Sequence, residues 1–209
     1  MRTAIVTDIH GSMRGLEKVL EDQAKEGCER LICLGDLVSG GMEDEEVVAY
    51  FRDNQLPVTQ GNHDLDDAEF YSDAARDYLR ALPPRIVEGD VVYTHITPRD
   101  ASDRGLACPY EARNAFAESS QRLAFVGHLH APVIWSATND DPQAARYCSF
   151  TLNKPRRLSL DDRFIIIVGA VAYARDMVEK IKYAIHDDAE STVEMRALDG
   201  PMIRTRWFL

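Results

Sequence analysis

The N-terminal part of the chain alternates short apolar runs with stretches of helical periodicity. Residues 3–7, 31–34 and 57–59 read as strands. Between the first two, Leu16, Val19, Leu20 and Ala24 recur at the spacing of one helix face, and Gly27 marks that helix's end. Residues 43–52 read as a second helix with an acidic first turn, which suits the helix dipole. Strands alternating with helices predict parallel βαβ units.

The pattern changes after about Asp66. Residues 67–82 form a polar, helix-like stretch that stops at Pro83-Pro84, and residues 85–94 read as a hairpin turning near Glu88-Gly89-Asp90. A helix is expected after Pro109 and a strand over 123–126. The remaining third is mostly strand, over 133–137, 146–152, 164–168, 182–185 and 192–197. Neither an internal repeat nor a low-complexity segment is present. These elements predict an α/β fold of two packed sheets with helices outside. With 209 residues, 45% of them hydrophobic and 28% charged, one domain over 1–209 is expected.

The longest apolar stretch, residues 164–174, falls short of the roughly 20 residues a membrane helix needs. Asp8 and His10 interrupt what would be the apolar region of a cleavable signal. A cytoplasmic protein with no membrane partner is therefore expected. A net charge of −11 opposes binding of long nucleic acid, though a local positive site can still hold one phosphate group. Cys28, Cys33, Cys108 and Cys148 show no CxxC spacing, so neither a disulfide framework nor a structural zinc cage is expected. Oligomeric state stays open.

Polar motifs follow the apolar runs: Asp8-Ile9-His10, Gly35-Asp36, Gly61-Asn62-His63-Asp64, His95 and Gly127-His128-Leu129-His130. Their side chains should gather at the carboxyl ends of adjacent strands, where open α/β sheets bind ligands. Carboxylate, amide and imidazole donors suit divalent Mn, Fe or Zn, and a shared carboxylate can bridge two cations about 3.5–4 Å apart. Taken singly, the pieces have plainer readings. Asp8 and Asp36 suit helix N-caps, Asn62 a turn and His63 a solvated loop. Gly-His-x-His is harder to explain that way, and the set together favours metal.

In this order the motifs resemble those of the calcineurin-like metallophosphoesterases, and more closely their small bacterial and archaeal phosphodiesterase branch. The resemblance runs from Thr3 to about Leu198. It implies an αββα sandwich of two mixed β-sheets and two divalent metal ions, most readily Mn²⁺, with Fe²⁺ or Zn²⁺ as alternatives. Asp8, His10 and His130 would hold one ion, and Asn62, His95 and His128 the other, with Asp36 bridging. His63 would be the catalytic histidine and Asp64 the residue that orients its imidazole. The implied reaction is hydrolysis of a small phosphodiester or phosphomonoester by metal-bound hydroxide, without a Ser or Cys nucleophile. A dinucleoside polyphosphate is one candidate substrate. The rival reading is a metal-binding regulatory or scaffold protein on the same fold; a protein-serine/threonine phosphatase fits so short a chain less well.

Two segments depart from the family pattern. His95 is followed by Ile96-Thr97-Pro98 where relatives often have Gly, so a side chain there is expected to narrow the approach to the second metal. The late loop that commonly resembles Asn-Pro-Gly-Ser-Val-Gly-x-Pro-Arg-Asp reads here, over 167–176, without its Asn, Ser and one Gly. Arg99 is either a phosphate-binding fork or a surface charge. His186 reads as the start of a polar hairpin turn.

Overall fold

The computed structural model describes residues 1–99, 105–141 and 143–203. The chain runs β1 (Arg2–Val6), α1 (Met13–Lys25), β2 (Arg30–Cys33), α2 (Asp44–Asp53), α3 (Asn62–Asp66), a 3₁₀ turn (Ala68–Phe70), α4 (Asp73–Ala81), β3 (Arg85–Glu88) and β4 (Val91–Thr94). It continues with α5 (Pro109–Glu118), β5 (Leu123–Val126), β6 (Val133–Thr138), β7 (Arg146–Tyr147), β8 (Pro155–Arg157), β9 (Asp162–Ile167), β10 (Ile181–Asp187) and β11 (Thr192–Leu198).

Two mixed sheets result. One has the order β2-β1-β10-β11-β8 and the other β3-β4-β5-β9-β6-β7. The predicted βαβ unit is present, with β1 and β2 parallel and α1 between them. In the second sheet β4, β5 and β9 are parallel neighbours.

Side-chain alternation explains why the central strands look apolar throughout. In β1, Ile5 points between the sheets while Ala4 and Val6 join the outer cluster with Leu16 and Val19 of α1 and Val47, Val48 and Phe51 of α2. In β5, Leu123 and Phe125 face inward, whereas Ala124 and Val126 pack with Ala112, Ala115 and Phe116 of α5. β9 divides likewise, Phe164 and Ile166 inward and Ile165 and Ile167 outward. Both faces of these strands are covered, so neither can be polar. The architecture is an αββα sandwich.

Several local expectations need correction. The stretch 67–82 is not one helix: the chain turns at 67–72, and only Asp73–Ala81 of it is α-helical. Residues 57–59 pair with β2 through the single bridge between Cys33 and Val58; Pro57 has no N–H to extend the ladder. Of 146–152, only Arg146–Tyr147 is strand, and Pro155–Arg157 was missed. His186 lies within β10, 4% exposed against Phe125, and not at a turn. Antiparallel pairing of β10 with β1 and β11 carries the chain past it. No helix among the described residues is long and apolar enough to cross a membrane.

Candidate metal centre

The strand ends deliver their polar motifs to one place. Asp8 follows β1, Asp36 follows β2, His95 follows β4, and His128 and His130 follow β5. The loops are tied together within and across the sheets: Gly127 donates to the His95 carbonyl at 2.9 Å beside it in the second sheet, and the His128 amide donates to Asp8 Oδ2 of the first sheet's β1 end at 3.0 Å. Thr7 Oγ1 donates to the same Asp8 oxygen at 2.8 Å.

Glycine in these motifs serves close approach of backbones. A Cβ on Gly61 would stand 2.3 Å from the Asp36 nitrogen, and one on Gly35 2.5 Å from the Gly61 nitrogen. The Gly-Asp and Gly-Asn-His loops can meet only because both positions lack a side chain. At Gly127 the added carbon would fall 2.0 Å from Thr7 Oγ1 and 3.1 Å from Asp8 Oδ2.

Among the described residues, ten non-glycine positions have positive φ, and five are Asp8, His10, Asp36, His128 and His130. Such backbone costs roughly 1–3 kcal/mol per residue and persists where surrounding structure enforces it, commonly at functional sites. The turns aim these side chains at a common point.

Asp8, His10, Asp36, His95 and His130 are almost fully buried. Their donor atoms form two groups, Asp8 with His10 and His130, and Asp8 with Asp36 and His95. Asp8 Oδ1 lies 3.1 Å from His130 Nε2 and 4.0 Å from His95 Nε2. Asp36 Oδ2 lies 3.1 Å from His95 Nε2 and 3.8 Å from His10 Nε2. Each carboxylate therefore faces imidazoles of both sets. Asn62 and His128 approach as a pair, Asn62 Oδ1 to His128 Nδ1 at 3.0 Å, with the His128 ring 5.4 Å from that of His95.

Three imidazoles are oriented alike. Nδ1 of His10 meets the Val38 carbonyl at 2.8 Å, Nδ1 of His95 the Leu34 carbonyl at 2.9 Å, and Nδ1 of His130 the Tyr173 carbonyl at 3.0 Å. A carbonyl only accepts, so each Nδ1 carries the proton. In the neutral ring Nε2 then offers a lone pair to the centre, the arrangement of metal-ligating histidine. Nε2 atoms of His10 and His130 are 3.3 Å apart, and the buried Asp8 Oδ1 and His95 Nε2 have no hydrogen-bond partner. Lone pairs crowded this closely repel unless a cation lies among them, so the nitrogen and oxygen donors fit a divalent metal.

Without a cation among them, these groups are compensated by one another's charge. Burial works against the Asp8 carboxylate, but His130, His95 and His10 hold its pKa well below normal. Burial likewise opposes the charged form of His95, yet the attraction of Asp36 and of Asp8 holds its pKa up at about 9. Burial lowers the pKa of His10, against the attraction of Asp36 and Asp8.

The second half of the Gly-Asn-His-Asp motif differs from expectation. Asp64 does not meet the His63 imidazole; its fully buried carboxylate accepts from the Asp36 and Leu37 amides at 2.8 Å each and from Gly61 at 2.9 Å. Asp64 binds the loop of Asp36 and Leu37 to the loop of Gly61 and Asn62. Helical geometry sets Asp67 on the face of His63 instead, at i+4, and His63 Nδ1 lies 2.9 Å from Asp67 Oδ2. Ser39 Oγ donates to that oxygen at 2.5 Å. The His63 amide donates to Asp36 Oδ1 at 2.9 Å, and its ring centre is 5.3 Å from that of His10.

Asp67, Ser39, Thr7 and Tyr173 were missed from sequence. Asp67 was legible in principle, since its i+4 spacing from His63 follows from a helix beginning at Asn62. Arg99 is held by Glu118 in a two-pronged pair at 2.7 and 2.8 Å. It borders a cleft of about 200 Å³ whose lining includes His95 and Ile96.

A two-sheet α/β sandwich whose strand ends converge imidazoles and carboxylates defines the metallophosphoesterase class. The chain belongs to the calcineurin-like phosphoesterase superfamily, whose domain it matches over residues 1–187. It is 27% identical over 217 residues to the uncharacterized protein MJ0912 of Methanocaldococcus jannaschii, covering 92% of this chain and 85% of that one. The crystal structure of a metallophosphoesterase from Sphaerobacter thermophilus superposes with a TM-score of 0.85 at 25% identity, over 96% of this chain and 90% of that one. An archaeal phosphodiesterase shares the fold, with a TM-score of 0.54 at 16% identity over 95% of this chain and 100% of that one.

Proposed function

We propose that this chain is a dinuclear-metal-dependent phosphoesterase, acting as one domain in the cytoplasm on a small phosphodiester or phosphomonoester. The observation that carries this reading is the convergence of three imidazoles, their Nδ1 atoms all committed to backbone carbonyls, on two buried carboxylates. Asp8, His10 and His130 would hold one ion, most readily Mn²⁺, and Asn62, His95 and His128 the other, with Asp36 shared. When bound, such ions supply charge to neutralise phosphoryl oxygens and to activate water.

The chain's own residues would do the rest. Asp67 accepts the Nδ1 proton of His63, which leaves Nε2 to carry a proton to the leaving oxygen. As a hydroxide oxygen bonds to phosphorus and the P–O bond to the leaving group breaks, the electron pair of the broken bond stays on the leaving oxygen, the Nε2 proton moves to it, and the ring is left neutral with Nδ1–H on Asp67. Ser39 keeps Asp67 in place. Asp64 keeps the loop carrying Asn62 and His63 against the loop carrying Asp36. Merely holding metal requires no such positioned imidazole, which favours an enzyme over a scaffold. The reading is tested by turnover of bis(p-nitrophenyl) phosphate and p-nitrophenyl phosphate by the Mn²⁺-loaded protein. Hydrolysis of either, abolished by chelator, is expected; none with metal fully bound would favour the scaffold.

A further inference from the structure

Residues 173–175 are clipped to a ligand histidine twice. The Tyr173 carbonyl receives His130 Nδ1 at 3.0 Å, and the Arg175 amide donates to the His130 carbonyl at 3.0 Å. The Tyr173 ring lies against the centre, 4.1 Å from the His130 ring and 5.3 Å from that of His10. Over its face, 5.7 Å from the ring centre, sits the guanidinium of Arg175. A cation is thus fixed at the rim of the metal centre by a backbone hydrogen bond and an aromatic platform.

Among the described residues, its charge is not spent elsewhere. Arg99 is engaged by Glu118, Arg30 by Glu88, and Arg196 by Asp22 and Glu194. The neighbouring Asp176 is taken by Lys182 at 2.9 Å. No carboxylate among the described residues pairs with Arg175, although the chain carries a net charge of −11. The side chain is exposed.

We propose that Arg175 is the substrate-binding fork of this site, gripping two non-bridging oxygens of the phosphoryl group, with Tyr173 as the platform that aims it. A planar guanidinium matches paired phosphoryl oxygens in a way that a lysine ammonium does not. The inference rests on the phosphoesterase reading above and adds to it the residue that meets the substrate anion.

The test uses the Mn²⁺-loaded full chain, with inorganic phosphate as the probe. Calorimetric phosphate affinity, metal content and kcat/KM for bis(p-nitrophenyl) phosphate are measured for wild type, Arg175→Ala and Arg175→Lys. Arg175→Ala should keep its metal and lose on the order of 10–100-fold in both phosphate affinity and kcat/KM, the worth of a charged hydrogen-bonded fork. Arg175→Lys should fall between, since charge remains and the fork does not. Tyr173→Leu should weaken phosphate binding less than Arg175→Ala. Unchanged phosphate affinity in Arg175→Ala would overturn the assignment, as would a loss matched by loss of metal. A metallated wild type that hydrolyses neither ester would end the phosphoesterase reading alone. Calorimetry would still decide whether Arg175 holds phosphate.

Discussion

His63 Nδ1 lies 2.9 Å from Asp67 Oδ2, one helical turn on, while Asp64, the immediate neighbour of His63, turns away to accept three backbone amides. Two carboxylates within one short segment thus have separable jobs. Replacing each has a different signature.

Asp67→Asn should keep the metals and slow turnover by about 10–100-fold, the usual effect of removing a carboxylate partner of a functional histidine. The loss should be greater for an alkyl phosphodiester than for a nitrophenyl ester, whose leaving group needs little protonation. Rates on the two esters, with metal content measured in parallel, check this. An equal loss on both would separate Asp67 from proton delivery.

Asp64→Ala should instead destabilise the fold. Three buried amides would lose their acceptor, at about 1–3 kcal/mol for each left unsatisfied. A chemical denaturation midpoint clearly below that of Asp67→Asn is expected. Similar midpoints would show that Asp64 does not hold the loops together.

Gly127→Ala should weaken metal binding although residue 127 offers no ligand. The added carbon would meet Thr7 Oγ1 at 2.0 Å and Asp8 Oδ2 at 3.1 Å, which forces the Asp8 carboxylate or the strand end to move. Titration with Mn²⁺ should give a lower affinity than wild type. Unchanged affinity would mean that the strand ends adjust without disturbing Asp8.

The candidate ligand motifs were legible because each lies beside an apolar strand, and strand ends in such sheets collect functional groups. What escaped reading comes from contacts without local pattern. The Tyr173 carbonyl reaches His130 from 43 residues away, and any residue type could have supplied it. Asp67 was hidden because the chain from 67 onward was read as the start of a longer polar helix. His186 was misread because Asp187 and Asp188 beside it suggest a turn, although β10 continues to Asp187 in the interior. The parallel core strands were readable from their continuous apolar runs. Short edge strands such as β8, exposed at Pro155 and Arg157, carry no such run.

Ile96 lines the cleft beside His95. Ile96→Gly should raise turnover of bulky esters relative to small ones with little change in metal content. Equal relative rates across an ester series before and after the change would remove the steric role.

The central claim is a dinuclear centre in which Asp36 is shared. Its most direct test is metal analysis after saturation with Mn²⁺, on wild type and on Asp36→Asn. Two ions per wild-type chain are predicted, with affinity lowered at both positions in Asp36→Asn; one ion per chain at saturation would contradict the account.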